Sequence, residues 1–531
     1  MRISVSFLLL LTACRTLSAE LSAGGGDAMV VPYYTFQGAF STGIHITNTT
    51  ESTQVVKVRF HKGTNGIQIF HFNVVLSPRD VWTGSISKVQ GIPTVSTKDT
   101  SCTVPKFPGS GVQLPSNYAV TASEGYIEII GMAQTLTEEE PIAVSAKHVE
   151  GVPRDCDDVR QNFYRVSNDE FDEGVEHRGV HHSELTSNGK KFSNYTDTYD
   201  RSLTGSFVIT DALAGEEVGG SATIISGLAS QAMMTNQSRP VYNVSGLLRY
   251  DPYNLNLPNF VQGSYLHSRS GDRVSNHNGS SGHDSTDPDG ALFIDFRKAL
   301  GRDQVIAEWA TKYSGARAIT AALILTLPAQ YAMRNDLCIL WPDFGSCNNL
   351  LDYDERPLIL YSGESDSKTY ALTFYDREEL KIETFDFTEV NDDLVFSGLP
   401  DSGGIEVEEE LLPGTLPWAV NVLNWIPEDS NLNTSVQNPL GSQLQTKINY
   451  FSAASAGVVY LDIRPQTNAS KYYLIGNSGL DAGQPLTSNV GNFINFPVDS
   501  GDTAIIGSNF WQRSFPSQGD NYGRWIPASY R

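Results

Sequence analysis

Apolar and polar residues alternate along many short segments of this chain, and this pattern constrains the fold more than any other feature. The first clear segment reads Val56, Lys57, Val58, Arg59 and Phe60, and a second reads Phe70, His71, Phe72, Asn73 and Val74. Successive side chains of a β-strand point to opposite faces of a sheet, so both segments predict half-buried strands. The polar side chains of both segments are expected on the solvated face.

The link between these segments, residues 62–66, contains Asn65-Gly66, which tolerates positive φ and predicts a hairpin turn. Further strands are predicted at residues 126–130, 142–147, 207–210, 222–226, 370–375, 382–387 and 458–463. Short strands separated by turn residues are typical of antiparallel sandwiches and barrels. The predicted fold class is therefore mostly β, with antiparallel β-sandwich domains and a few short helices.

Helical periodicity is sparse. It predicts a helix at residues 303–313, where Asp303 can act as the cap and apolar side chains return at helical spacing. The longest later apolar segment, residues 318–327, ends before Pro328. It is too short for a membrane span, so it is interpreted as a buried strand or helix.

Two long polar stretches, residues 155–202 and 268–290, interrupt the strand pattern and supply the predicted domain boundaries. The first domain is an N-terminal β-sandwich over residues 20–155. A middle β region with long polar loops and a short helix covers residues 156–350, and a C-terminal β domain covers residues 351–531.

Residues 1–19 resemble a secretory signal peptide, because Arg2 precedes an apolar run too short to anchor a protein permanently. Two interpretations of its processing stay open. Cleavage after Ala19 would release a soluble chain, whereas residues 11–14 resemble a lipobox in which Cys14 becomes the lipidated first residue. Both predict export to the periplasm, the outer-membrane surface or the extracellular space, and membrane attachment only through the lipid.

The five cysteines bear on the same question. Removal or lipidation of Cys14 leaves four, and exported chains usually pair such cysteines. Pairing Cys102 with Cys156 and Cys338 with Cys347 keeps each bridge local, so these two disulfides are predicted. The chain has no Cys-x-x-Cys spacing, which disfavours a cysteine metal site.

Net charge limits the partners. The chain has 60 Asp and Glu against 37 Lys and Arg, which gives a formal charge of −23. It therefore repels phosphate backbones, and we expect no nucleic-acid partner. A protein or glycan partner at the cell surface and self-association are the expected interactions.

Two polar clusters are candidates for metal binding. Asp284, Asp287 and Asp289 precede Gly290 and resemble half of a calcium loop. An EF-hand is excluded because Phe296 stands where its glutamate is needed, so calcium at a simpler turn is the one cofactor considered. A second cluster, of His177, His181 and His182 with nearby glutamates, could suit zinc, but its glycines favour a solvated loop.

Catalytic motifs are weak. All ten histidines lie at or before His283, and the chain contains neither a G-x-S-x-G nucleophile elbow nor an H-E-x-x-H zinc motif. Ser478 is the nearest nucleophile-like residue, and a plain turn is the favoured interpretation. Carboxylates that could form a glycosidase pair are Glu128, Glu406, Glu408 and Asp462. With 60 acids in the chain, such pairs arise by chance.

Several blocks resemble an uncharacterised group of secreted proteobacterial proteins of similar length. They comprise residues 28–35, 45–50, 56–60, 73–82, 125–130, 146–153 and 521–523. The resemblance is strongest before residue 156. It implies an exported surface or periplasmic protein and supplies no catalytic residues. Separately, the N-terminal hairpin pattern is similar to immunoglobulin-like β-sandwiches, which implies that fold for the first domain.

These observations predict an exported, non-catalytic structural or binding protein that recognises its partner through loops at the sandwich ends. The alternatives are a carbohydrate-active enzyme and a calcium-dependent adhesin. A deep pocket lined by two close carboxylates would favour the enzyme.

Overall fold

Strands dominate the computed structural model. It describes residues 20–64, 66, 68–135, 137–161, 203–226, 299–302, 304–310, 318–328, 368–377, 381–382, 415–416, 418–427, 439–450, 456–464, 472–475, 493–496, 505–515 and 520–530. These residues form several antiparallel sheets and short helices. The predicted mostly β class is therefore confirmed.

The N-terminal part contains twelve strands and three short helices. The strands are β1 (Glu20–Leu21), β2 (Ala28–Thr35), β3 (Phe40–Asn48), β4 (Gln54–Lys62), β5 (Gln68–Leu76), β6 (Val81–Val89), β7 (Ile92–Ser96), β8 (Cys102–Val104), β9 (Val112–Gln113), β10 (Glu124–Gln134), β11 (His148–Val149) and β12 (Val152–Pro153). The helices are α1 (Tyr118–Thr121), α2 (Pro141–Ala146) and α3 (Cys156–Gln161).

The later part of the described chain is almost entirely strand. Its strands are β13 (Leu203–Asp211), β14 (Glu216–Ser221), β15 (Thr223–Ser226), β16 (Gln304–Ala310), β17 (Ala318–Thr326), β18 (Lys368–Asp376), β19 (Lys381–Ile382), β20 (Thr415–Leu416), β21 (Val420–Pro427), β22 (Gln445–Tyr450), β23 (Ala456–Arg464), β24 (Tyr472–Ile475), β25 (Phe493–Phe496), β26 (Ile506–Phe515), β27 (Asp520–Pro527) and β28 (Ser529–Tyr530). A short 3-10 turn, Pro439–Gly441, precedes β22.

Three large sheets contain most of these strands, and β11–β12 and β24–β25 form separate two-stranded sheets. The first sheet has the order β1-β15-β2-β10-β4-β5-β8. The central sheet has eleven strands in the order β22-β21-β17-β26-β27-β14-β13-β3-β6-β7-β9, and the third sheet has the order β19-β18-β23-β16-β28 with β20 beside β18. Strand pairing is antiparallel except between β14 and β27 and between β21 and β22.

The central sheet packs on both of its neighbours. One large core lies between the first and central sheets and includes Phe60, Phe72 and Trp82. On β17, Ile324 belongs to that core, whereas Leu323 belongs to a second core shared with the third sheet. Successive residues of β17 thus serve opposite cores, and this part of the central sheet is the middle of three layers.

The central sheet also gathers strands from distant parts of the chain. It takes β3, β6, β7 and β9 from residues 20–155, β13, β14 and β17 from residues 156–350, and four further strands from residues 351–531. The three ranges that the sequence suggested as domains therefore contribute to one sheet.

The hairpin expected from the alternating segments is present. β4 and β5 pair antiparallel, with Val58 opposite Phe72, and Gly66 in the link has a φ of 68°. The solvated face expected for these strands was wrong, because Lys57, Arg59, His71 and Asn73 are all buried. Periodicity identified which residues share a face but not that both faces are covered.

Two sequence-based element assignments were also wrong. Residues 304–310 form strand β16 rather than a helix, and Val305, Ala307 and Trp309 are buried at every second position. Pairing with β23 along its whole length stabilises that strand. The strand predicted at residues 142–147 is helix α2, which has a proline in its first turn, where that residue is well tolerated. Of the strand predicted at 382–387, only residue 382 lies in the described chain.

Candidate functional site

Four loops meet at one end of the first sheet. They are residues 49–53, which join β3 to β4, residues 77–80 between β5 and β6, residues 97–101 between β7 and β8, and the β11–β12 hairpin at residues 148–153. Hydrogen bonds connect all four. We call this set the loop cluster.

Asn48 ties the first two loops together from a buried position. Its Nδ2 donates to the carbonyl oxygens of Ser52 and Ser77, each at 2.8 Å. Its Oδ1 accepts the backbone N–H of Thr50 at 3.0 Å. A short amide side chain can bond to backbone groups on both sides, and this arrangement fixes the two loops in one geometry.

Asp99 and Ser101 fix the third loop. Asp99 Oδ2 accepts the backbone N–H of Thr83 at 3.1 Å, and its Oδ1 accepts the backbone N–H of Ser101 at 2.9 Å. The Ser101 hydroxyl lies 2.6 Å from Asp99 Oδ1 and 3.1 Å from Asp80 Oδ2. These bonds join the third loop to the second.

His148 joins the hairpin to both neighbouring loops. Its Nδ1 lies 3.0 Å from Ser77 Oγ and 3.7 Å from Asp80 Oδ2, and its Nε2 lies 3.3 Å from Thr100 Oγ1. The set resembles a hydroxyl–imidazole–carboxylate triad, which would require Nε2 to accept the hydroxyl proton. Thr100 instead donates that proton to the carbonyl oxygen of Gly151 at 3.0 Å. In this geometry His148 positions the hairpin and does not activate Thr100.

The hairpin presents two valines to solvent. Its turn residues Glu150 and Gly151 have φ values of 55° and 83°, which produce a tight reversal. Val149 and Val152 flank the turn and are 49% and 57% exposed. Glu150 is also exposed. The tip is therefore apolar with a charged residue between its two valines.

A disulfide anchors the base of this hairpin. Cys102 in β8 is bonded to Cys156 in α3, with a Cα–Cα distance of 5.2 Å, as the sequence predicted. Arg160 reinforces the link, since its Nε donates to the carbonyl oxygen of Thr103 at 2.9 Å. The segment that carries the hairpin is thereby attached to the edge of the first sheet.

The glycosidase candidates are not brought together. Glu128 lies in β10 of the first sheet, is buried, and has its Oε2 3.0 Å from His61 Nε2 and 3.5 Å from Arg59 Nε. Asp462 lies in β23 of the third sheet and accepts a hydrogen bond from Gln304. The central sheet separates those two layers, so these carboxylates cannot flank one sugar bond.

A second buried carboxylate, Glu124, joins distant parts of the chain. Its oxygens accept hydrogen bonds from the Tyr33 hydroxyl at 2.7 Å, the Ser442 hydroxyl at 2.5 Å and the backbone N–H of Gln443 at 2.7 Å. Burial raises the pKa of Glu124, and the hydrogen bonds oppose that shift. All of these donors belong to the protein, so the group is a structural link.

The remaining sequence candidates lie outside the described residues. They are Cys14, Cys338, Cys347, Asp284, Asp287, Asp289, His177, His181, His182, Ser478, Glu406 and Glu408. Within the described part of the chain, no three metal-ligating side chains come together. Nor does that part contain a helix long and apolar enough to cross a bilayer.

The sequence pattern did not predict the loop cluster as a unit. Asp80 and Asp99 can be recognised in the sequence as turn residues. Their contacts with other loops join segments far apart in the chain, and local patterns do not predict such contacts. The one available signal was the local Cys102–Cys156 pairing, which begins directly after the third loop and encloses the hairpin. Neither a protein-family model, nor a curated protein, nor a solved structure matches this chain. The immunoglobulin-like and proteobacterial resemblances therefore stay predictions.

Proposed function

We infer that this protein is exported and acts as a non-catalytic binding component that recognises a protein or glycan partner through the loop cluster. The observation that carries this proposal is the hairpin tip, where Val149 and Val152 are exposed on a segment fixed by a disulfide and by His148. Export is supported by the Cys102–Cys156 bond, because disulfides persist in oxidising compartments.

Rigidity makes this tip suited to binding. A loop that is already held in one conformation loses little conformational entropy when a partner arrives. Complete burial of an exposed valine side chain contributes about 1.5 kcal/mol or more. Val149 and Val152 are 49% and 57% exposed, so each can contribute roughly half of that value to a modest affinity. Glu150 between the valines adds a charged group that selects among apolar surfaces.

A double substitution in the hairpin tip, compared with a single substitution elsewhere as its control, tests this proposal. We expect Val149→Asp/Val152→Asp to weaken binding of the purified protein to intact cells of the source species at least tenfold, because both apolar contacts are replaced by carboxylates. The measurement is a titration of fluorescent protein on those cells, with the surface proteins removed by protease in one arm and the glycans oxidised by periodate in another.

The control is Val120→Asp, an equally apolar and exposed side chain on α1, away from the loop cluster. It should leave the titration unchanged. Equal binding by the double variant and the unsubstituted protein would refute recognition through the hairpin tip. Loss of binding in the protease or the periodate arm identifies the partner as protein or glycan.

A further inference from the structure

The outer face of the first sheet carries a patch of buried polar side chains. Cross-strand register places Glu128 of β10, Arg59 of β4 and His71 of β5 side by side. In the next row, Lys57 of β4 lies directly opposite Asn73 of β5. Lys57, His71 and Asn73 are fully buried, so their chemistry takes place away from bulk water.

Lys57 is positioned as a nucleophile. Its Nζ lies 3.3 Å from Nδ1 of His71, which can accept a proton from the amine. Burial, with a smaller contribution from the charge of Arg59, holds the pKa of Lys57 well below its ordinary value. This shift favours the neutral amine, and a neutral, desolvated lysine amine is nucleophilic.

Asn73 offers a matching electrophile. Directly opposite residues of an antiparallel pair have Cα atoms roughly 5 Å apart, a span that a lysine side chain is long enough to cross to an asparagine side chain. Neither Oδ1 nor Nδ2 of Asn73 has a hydrogen-bond partner among the residues that the structure describes. A fully buried amide without a partner is rare in native proteins and calls for a specific explanation.

From this geometry we propose that Lys57 and Asn73 join in an intramolecular amide bond that covalently links β4 to β5. The Nζ lone pair of Lys57 attacks Cγ of Asn73 and forms the new C–N bond. His71 Nδ1 takes one proton from Nζ and delivers it to Nδ2 of Asn73. The Cγ–Nδ2 bond then breaks and ammonia leaves, so that atoms and charge balance without any oxidant, reductant or further reactant.

Position on neighbouring strands makes this step intramolecular. Reacting groups held in the right geometry reach effective concentrations on the order of 10⁵ M or more in well-oriented systems. The sheet register supplies that orientation once β4 and β5 have paired. His71 is two residues from Asn73 on the same face of β5, so one imidazole lies beside both the amine and the amide.

Peptide mapping of the purified, folded full chain tests the proposal directly. Trypsin cannot cleave after an acylated Lys57, so we expect the peptide that ends at Arg59 to be joined to residues 63–79. The joined species should weigh one ammonia less than the sum of the two peptides, and its fragment ions should place the bond at Lys57 and Asn73. Recovery of cleavage at Lys57 and of unmodified Asn73 would overturn the proposal.

Substitutions then test the separate roles of Lys57, Asn73 and His71 in forming the bond. Lys57→Met and Asn73→Leu keep side-chain volume and should each abolish the joined peptide, whereas Lys88→Met, on β6, should retain it. His71→Phe should slow appearance of the joined peptide after refolding, measured by sampling over time. Circular dichroism of each variant checks that it folds, and the result for the unsubstituted chain decides the matter even where a variant does not fold.

Discussion

A single buried carboxyl makes the stability of this protein depend on pH. Glu216 at the start of β14 is buried. Burial, followed by the negative charge of Asp211, raises its pKa from 4.5 to about 7, although a hydrogen bond from Gln512 opposes the shift. Between these two values the native chain keeps a proton that the unfolded chain has lost. The free energy of unfolding therefore falls as pH rises through that window.

Glu216→Gln should remove this dependence. We expect the variant to be more stable than the unsubstituted protein at pH 8 by up to about 3 kcal/mol, because no charge is then buried. The two proteins should converge near pH 4. Urea unfolding at a series of pH values measures the difference. Glu217→Gln, at an exposed neighbouring position, should follow the unsubstituted protein throughout.

Alternation in the sequence correctly placed Val58 and Phe72 in the core, because periodicity records which side chains share a face. It could not predict the environment of Lys57 or Asn73 on the other face. Whether a face meets water or another part of the chain depends on contacts remote in sequence. For that reason the alternating pattern could not predict that these ionisable groups are buried.

At the scale of single elements, local propensity and sheet pairing compete. Residues 304–310 have apolar side chains that fit either a helix or a strand, and pairing with β23 favours the strand. β10 shows a related constraint, since it pairs with β2 on one side and β4 on the other. Gly125 allows β10 to lie close to the backbone of β4, because a Cβ at this position would overlap the carbonyl oxygen of His61.

Gly125→Ala should therefore destabilise the protein. We expect a loss of about 1–3 kcal/mol in the free energy of unfolding, since β4 or β10 must shift to admit the methyl group. Urea unfolding followed by circular dichroism gives the value. Gly109→Ala is the matched control, because a Cβ at Gly109 meets open space. If both variants unfolded at the same urea concentration, the absence of a side chain at Gly125 would not contribute to the free energy of unfolding.

At the scale of the whole molecule, β27 connects two halves of the central sheet. It pairs antiparallel with β26 and parallel with β14. Its Trp525 contacts Phe207 of β13 edge-on at a centroid distance of 5.1 Å, and it stacks against Tyr33 of β2 at 6.3 Å. One side chain thus touches strands of both the first and the central sheet.

Trp525→Ala should weaken the whole fold rather than one part. We expect a loss of about 3–5 kcal/mol, as for other buried tryptophans. Hydrogen exchange should rise together in peptides from β4 and from β23, which lie in the two outer sheets. Tyr522→Ala, at a position 61% exposed in the same strand, should change neither. A rise confined to β23 would show that the two outer sheets unfold independently.

The fold class followed from short alternating segments, and one disulfide followed from local spacing. The arrangement of the central sheet could not be derived in the same way, because β14 and β27 are separated by about three hundred positions and pair over only two residues. Likewise, the loop cluster depends on Asp80, Asp99 and His148 meeting from separate loops.

The position of β27 also governs the order in which the fold can be completed during translation. A ribosome produces β14 long before it produces β27, so the nascent chain exposes an unpaired strand edge while the intervening residues are being made. Exposed edges recruit other strands and promote aggregation. Shielding that edge until β27 has been synthesised would therefore reduce the risk of aggregation.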